Sequence, residues 1–203
     1  MKTDVVEIRP TGEGIEQALA ETERAAAFCG LDHKQSLRLR LLAEEMTGML
    51  RTLIGETPLC YWVESEGRRF SLHLAGNVRM NPDLREELLK TSTSGKNAAA
   101  KGFMGRVRDI FRQFSEADYV DPRENLYGYT YVGVVGYDAS LDVAPNMICG
   151  WSLNEYKAAV AAHMDEEREK WDEMEKSITA KLADEIKIFI RNKAVEIVIE
   201  KAF

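Results

Sequence analysis

The feature that most constrains the fold of this chain is a change in the spacing of its apolar residues, from a helical period to a period of two. Between Ile15 and Cys29 apolar residues recur at helical spacing, which predicts an amphipathic helix that ends at Gly30. The runs 59–63 and 70–74 then alternate around a turn at 66–68, which predicts an antiparallel hairpin. This order indicates helices packed against a sheet.

A second, longer helix is predicted between these two patterns. Asp32 is followed three positions later by Gln35, a spacing typical of the capping pairs that begin helices. The helix is expected to end near Gly55. The apolar residues that it carries are Leu37, Leu41, Leu42, Met46, Met49, Leu50 and Leu53.

The rest of the chain mixes helical and strand patterns. Ser152 and Glu155 form another capping box, and a helix is predicted from there to Ala183, with room for one break. The segment 118–150 is rich in Gly and Tyr, which indicates an irregular, partly β excursion. The other predicted elements are a strand at 5–8, a short helix from 81, a helix at about 97–114 and closing strands at 186–190 and 194–199.

Together these elements predict an α+β fold, a two-layer α/β sandwich in which helices cover one face of a mixed, mostly antiparallel sheet. No Gly-, Ser- or Pro-rich linker and no internal repeat divides the chain. The sequence therefore predicts a single domain over 1–203 with a long insertion at about 96–170. A chain of this length buries roughly 70% of its unfolded surface, so it needs neither disulfides nor a metal to fold.

Composition limits the classes of partner and the compartment. The net charge of -7 argues against a nucleic-acid partner, because phosphate binding needs a surplus of Lys and Arg. No apolar run reaches the roughly 18 residues of a membrane span, and no apolar run follows Met1 as in a signal peptide. Cys29, Cys60 and Cys149 lack zinc or redox spacing, which indicates buried, reduced thiols. These features predict a cytoplasmic protein that contacts neither membrane nor nucleic acid.

No metal site is expected. His33, His73 and His163 are isolated from one another, and a single His on an element is usually structural or solvated. His163 has helical spacing to Glu166 and Glu167, yet exposed pairs of this kind are common on helices.

The segment from Leu41 to Gly48 resembles a motif of the GHKL, or histidine-kinase-like, ATPase superfamily. In that family a Glu is followed four residues later by an Asn, so both lie on one helix face. There the Glu orients water and the Asn holds the Mg²⁺ that bridges the phosphates. Glu44 fills the Glu position here, and Gly48 stands at the Asn position. The order of elements is most similar to the anti-sigma-factor serine kinases, which implies a Bergerat-like fold.

A second element of the family is an Asp at a strand end, followed by a Gly-x-Gly turn, which accepts a hydrogen bond from adenine. The matching stretch here is 72–80, where no acid occurs at or beside Ala75 and only Gly76 of the turn is present. Residues 177–203 again resemble the family's last helix and hairpin. Its glycine-rich turn would fall near Glu173 and Glu175, whose charges repel phosphate. Weak or absent ATP binding is therefore expected.

An alternative phosphate loop is present upstream. Small residues with two lysines at a helix start are suited to an anion, because backbone amides and the helix dipole favour negative charge there. Together with Gly76, the candidate nucleotide or phosphate contacts are Lys96, Asn97, Lys101, Gly102 and Gly105.

Three hypotheses about function follow. The first is a degenerate ATPase domain that acts as a regulatory module, whose partner is a sigma-factor-like protein or another regulator and whose insertion, including 116–150, forms the partner surface. The alternative is an active ATP-binding serine kinase or ATPase, with ATP and Mg²⁺ as cofactors and Glu44 as the catalytic base. The third is a scaffold that self-associates, for example as a homodimer.

Overall fold

The structure is a computed structural model of the chain, and it describes residues 1–51, 57–77, 148–162, 178–191 and 194–203. The predicted helices at 81 and 97–114, and most of the excursion at 118–150, lie outside these ranges. In chain order the elements are β1 (Val6–Ile8), α1 (Ile15–Phe28), α2 (His33–Arg51), β2 (Leu59–Glu66), β3 (Arg69–Asn77), β4 (Ile148–Ser152), α3 (Leu153–Ala162), α4 (Ile178–Leu182), β5 (Glu185–Arg191) and β6 (Ala194–Ala202).

Six strands form one sheet in the order β1-β2-β3-β6-β5-β4, and the predicted α+β class is confirmed. The hairpins β2–β3 and β5–β6 are both present, and they meet through antiparallel pairing of β3 with β6. Every strand pair in the described ranges is antiparallel, so the mixed character predicted for the sheet is not found there. The reason is that each hairpin reverses direction and the two hairpins then pair through strands that run in opposite directions.

One face of this sheet forms the hydrophobic core. Successive residues of a strand point to opposite faces, so the registered partners across five strands place their side chains on the same side. The residues of this face are buried together with the inner sides of the helices. In the sheet they are Val6, Ile8, Leu59, Tyr61, Val63, Phe70, Leu72, Leu74, Ile186, Ile188, Val195, Ile197 and Ile199.

Helix α1 covers this face above β2. A polar contact inside the apolar interface joins the two elements, because Thr22 Oγ1 lies 2.6 Å from the phenol oxygen of Tyr61. Burial raises the pKa of the Tyr61 phenol far above its ordinary value, so the phenol stays neutral. The predicted stop after α1 is confirmed, since Gly30 adopts the left-handed conformation with φ of 67°. Phe28 at the end of α1 is 76% exposed and takes no part in the core.

Helix α2 begins with the predicted capping pair. The Gln35 amide donates to Asp32 Oδ1 at 2.9 Å, and the Asp32 amide donates to Gln35 Oε1 at 3.1 Å. Of the apolar residues that the sequence placed on this helix, Leu42 and Met46 are buried, but Leu37 is half exposed. The inner stripe consists of Leu39, Leu42, Ala43 and Met46, at the 3, 4 and 7 spacing of one helix face.

The C-terminal elements complete the layer. One of the two hydrogen bonds of the predicted capping box is present at the start of α3, since the Glu155 amide donates to Ser152 Oγ at 3.3 Å. Helix α4 adds Ala180 to the core and packs beside α2, and Ala183, which follows the helix, is buried in the core as well. In the ranges that the structure describes, no helix is long and apolar enough to cross a membrane.

A substitution at Gly48 tests whether this position lies on the exposed side of α2. It is exposed on the helix, and an added Cβ would meet nothing within 4 Å. We expect Gly48→Ala to raise the free energy of unfolding by about 0.5–1 kcal/mol, because alanine loses less backbone entropy in a helix interior. Urea denaturation of both proteins measures the difference.

Gly14→Ala is the matched control. Gly14 has φ of 93°, and an added Cβ would collide with the backbone carbonyl of Glu7. This variant should be less stable than the wild type. A loss of stability in Gly48→Ala would contradict the exposed position of Gly48.

Candidate functional site

The predicted catalytic residue Glu44 lies on the solvent side of α2. Its side chain is 43% exposed, and its Oε1 accepts a hydrogen bond from Arg40 Nε at 2.8 Å. Arg40 also donates to Glu23 of α1. Gly48, one turn further along, is exposed too. Glu44 therefore takes part in an ion-pair network between α1 and α2. Gly48, which has no side chain, provides no metal ligand.

The predicted nucleotide contact Gly76 lies inside β3, where it pairs with Leu59 and Val195. A Cβ at Gly76 would collide with Leu59 Cδ2 and lie 3.3 Å from the Pro58 carbonyl oxygen. A side chain at this position would have to displace the end of the Leu59 side chain. Leu74 is buried on the same face of the strand, so the helix-facing side of this strand end is apolar and filled.

The other candidate phosphate contacts, Lys96, Asn97, Lys101, Gly102 and Gly105, lie outside the described residues. Glu173 and Glu175, which occupy the place of the family's glycine-rich turn, lie outside them as well. The predicted binding of phosphate by the lysine loop thus stays a prediction.

A polar cluster, composed of Lys2, Trp62, Glu64, His73 and Glu196, occupies the opposite face of the sheet. At its centre, His73 Nδ1 lies 2.8 Å from Glu196 Oε1 on the neighbouring strand β6. Both side chains are buried, at 3% and 8% exposure. Buried ionisable groups are costly unless they are paired, so this contact is a strong constraint on how β3 and β6 meet.

Strand β2 supplies the second half of the polar cluster. The Trp62 indole stacks on the His73 ring with 4.8 Å between centroids and 8° between planes. Trp62 Nε1 donates to Glu64 Oε1 at 3.0 Å, and Lys2 Nζ lies 3.0 Å from the same oxygen. Burial alone would raise the pKa of Glu64. The hydrogen bonds from Lys2 and Trp62, with the charges of His73 and Lys2, outweigh it and hold that pKa below its usual value.

The chemistry available to the polar cluster is limited by its packing. His73 Nε2 is buried without a hydrogen-bond partner among the described residues, and Glu64 Oε2 lies 3.9 Å from it. Within the same part of the chain, no group of three or more His, Cys, Asp or Glu side chains could hold a metal ion. The stacking of Trp62 on His73 and the His73–Glu196 contact join β2, β3 and β6.

Sequence reasoning placed His73 among isolated histidines and did not find its partners. Trp62, Glu64, His73 and Glu196 occupy alternate positions opposite the apolar ones, and that alternation is visible in the sequence. The missing information was the register between β3 and β6, which sets Glu196 against Ala75 and so beside His73.

The thiols play no part in either region. Cys29 Sγ lies 3.3 Å from Ser65 Oγ, and Cys60 is exposed on the sheet. Both are free of disulfide bonds, but the expected burial is wrong for Cys60, which faces solvent, and Cys29 is only partly buried.

Comparison with protein-family models, curated proteins and solved structures finds no match to this chain. Its function is therefore inferred from two regions of its own structure. One is the strand end at Leu74 and Gly76 with the nearby solvent side of α2. The other is the polar cluster on the opposite face.

The His73–Glu196 pair should be a large contributor to stability. We expect Glu196→Ala to lower the free energy of unfolding by about 3 kcal/mol, because it leaves His73 buried and unpaired. Glu200→Ala is the matched control on the same strand and face, where the Lys187–Glu200 pair is partly exposed. It should cost less than about 1 kcal/mol. Equal losses in the two variants would contradict the buried pair.

The lowered pKa of Glu64 predicts an acid-dependent contribution to stability. Its carboxylate stabilises the folded state above the unfolded pKa of about 4.3, and this contribution is lost as pH falls through the lower folded pKa. We expect Glu64→Gln to be less stable than the wild type at pH 6, with the difference shrinking towards pH 3. Glu66→Gln, at the exposed end of β2, should differ little from the wild type at either pH. A Glu64→Gln effect independent of pH would contradict this.

Proposed function

We propose that this chain is a regulatory, protein-binding module on a GHKL-like scaffold, similar to anti-sigma factors, that binds ATP weakly or not at all. The observation that carries the proposal is the filled strand end at Leu74 and Gly76. In the family this place presents a carboxylate to adenine. Here it presents a buried leucine, and Leu59 packs against the glycine.

The order of elements supports the scaffold. A short strand, a helix, a long helix and a hairpin are followed, after the segment that the resemblance treats as an insertion, by α4 and a closing hairpin. The resemblance implies this order, but β4 and α3, which fall inside the expected insertion at about 96–170, are part of the sheet and of the hydrophobic core. The same order can serve different activities, so the site residues decide between them.

The side chains of α2 argue against a magnesium site. Gly48 has no ligand to offer, and the adjacent Thr47 donates its hydroxyl hydrogen to the carbonyl of Ala43 at 2.9 Å. Thr47 is also buried, so it cannot replace an exposed Asn. Glu44 retains its acid, but Arg40 already neutralises it. A nucleotide would lack both its adenine acceptor and its metal ligand.

The energetic consequence is large. A hydrogen bond to a charged acceptor contributes roughly 1.5–3 kcal/mol, so losing the adenine contact alone weakens affinity about ten- to a hundredfold. Loss of the metal ligand removes charge neutralisation at the phosphates as well. Loss of both the adenine acceptor and the metal ligand favours a module that has the scaffold but does not depend on a bound nucleotide.

Isothermal titration with ATP and with ADP, each with and without Mg²⁺, tests this proposal on the full chain. We expect no saturable heat tighter than about 100 µM, which corresponds to about -5.5 kcal/mol. Glu44→Gln should give the same heats of titration as the wild type, because Glu44 contacts no nucleotide if the proposal is correct.

Saturable binding of ATP or ADP tighter than that limit would contradict the proposal. If Mg-ATP turnover then disappeared in Glu44→Gln, the alternative of an active serine kinase or ATPase would replace it. If no nucleotide binds and the molar mass of the protein rises with its concentration, the self-associating scaffold is favoured instead.

A further inference from the structure

The ring of His73 lies between two carboxylates on neighbouring strands. Its Nδ1 is 2.8 Å from Glu196 Oε1 on β6, and its Nε2 is 3.9 Å from Glu64 Oε2 on β2. The His73 side chain is 3% exposed, and Nε2 has no hydrogen-bond partner among the described residues. One ring nitrogen is therefore bonded, and the other is buried beside an anion to which it is not bonded.

A neutral His73 ring does not suit these surroundings. A neutral imidazole has one N–H donor and one nitrogen lone pair, and an ionised carboxylate only accepts hydrogen bonds. When Nδ1 donates to Glu196, the lone pair of Nε2 is left beside the Glu64 carboxylate, and two electron-rich groups meet in a buried place. A second proton on Nε2 turns this nitrogen into a donor next to an acceptor.

The charges of the polar cluster lead to the same conclusion. Lys2 Nζ lies 3.0 Å from Glu64 Oε1, so the cluster contains one ammonium group and the carboxylates of Glu64 and Glu196. These charges balance only when His73 is an imidazolium, and unbalanced charge is costly where side chains are buried. The Trp62 indole, which stacks on the ring, favours the cation further through its electron-rich face.

Other charged side chains described on this face of the sheet do not supply the missing charge. Each of them has a partner elsewhere or is exposed at an end of the sheet. They are Lys187 with Glu200, Glu7 with Arg9, Glu185 at the start of α3, and Glu66 and Arg69, which are exposed at the turn of the β2–β3 hairpin.

We propose that His73 is a proton-operated latch between β2, β3 and β6. When Nε2 binds a proton from solvent, His73 donates hydrogen bonds to Glu196 and Glu64 together, and when that proton leaves, the hold on Glu64 is lost. The step adds one proton to the nitrogen lone pair, and no bond within the chain is broken. The Glu64 side chain is 22% exposed, so it has room to turn and close the 3.9 Å gap.

The latch gives the sheet a response to pH of a definite sign. Stabilisation by the imidazolium is present while His73 is protonated, and it is lost as the pH rises and the proton leaves. At the acid end the limit is set by Glu64, whose lowered pKa keeps its carboxylate charged to a lower pH than usual. The latch lies on the face of the sheet opposite the core, so it does not depend on the proposed function.

The ring nitrogens report the protonation state directly. The chain has three histidines, so the full chain is labelled with ring-¹⁵N histidine, and His33→Gln and His163→Gln identify the signals of the other two. Ring ¹⁵N shifts distinguish an imidazolium, in which both nitrogens carry protons, from either neutral tautomer. We expect both nitrogens of His73 to be protonated at about pH 6, and Nε2 alone to lose its proton as the pH is raised towards about 9.

Glu64→Gln tests the contact with β2, because glutamine keeps the shape of the side chain without its charge. At a fixed pH within the His73 transition, the ratio of charged to neutral His73 should fall at least about threefold in this variant, since the anion beside Nε2 is gone. Glu66→Gln is the matched control, with the same substitution on the same strand and face at an exposed position. It should leave the ratio unchanged.

Amide hydrogen exchange measures how firmly β2 is held. After correction for the intrinsic pH dependence of exchange, protection of the β2 amides should fall at least about threefold when His73 of the wild type loses its proton. This step should be absent in Glu64→Gln and retained in Glu66→Gln.

Three results would overturn the proposal. They are a His73 ring that stays neutral at every pH at which the protein is folded, equal changes of the charged fraction in Glu64→Gln and Glu66→Gln, or a protection step that persists in Glu64→Gln. The first result needs only the wild-type side chains of the latch, so it decides the question even where a variant does not fold. The ATP titration reads a different region, so either proposal can fail while the other stands.

Discussion

The fold depends on the antiparallel pairing of β3 with β6. These strands are registered from Arg69–Ala202 to Asn77–Ala194, and they join residues as far apart in the chain as His73 and Glu196, separated by 123 positions. Without this pairing, β2–β3 and β5–β6 would be two separate hairpins, and an isolated hairpin is marginally stable in water. Joined, they present one apolar face wide enough for both α1 and α2 to cover.

The two faces of the same strands have different roles because the side-chain period of a strand is two. On the helix side the alternation places Leu72, Leu74 and their partners in the core. On the other side it brings His73, Glu196 and Trp62 together in a buried, paired cluster. A one-residue slip of β6 would turn Glu196 towards the helices and leave it unpaired. The polar cluster therefore penalises wrong registers, while the apolar face supplies most of the stabilisation.

The same packing fills the helix-facing side of the sheet at the end of β3. Leu74 is buried there, and Leu59 packs against Gly76. Helix α2 has its inner side in the core, and on its outer side Glu44 is bonded to Arg40.

Local sequence determined a large part of this structure. The Asp32–Gln35 and Ser152–Glu155 caps, the stop at Gly30 and both hairpins were predictable, because each depends on contacts within a few residues. The side of α2 that enters the core was less so, since Leu37 and Leu39 are chemically alike and only packing distinguishes them. The β3–β6 pairing, the purely antiparallel character of the described sheet, the His73–Glu196 pair and the filling above Gly76 were decided by tertiary structure. They require residues far apart in the chain to meet in one register, and no local pattern encodes that register.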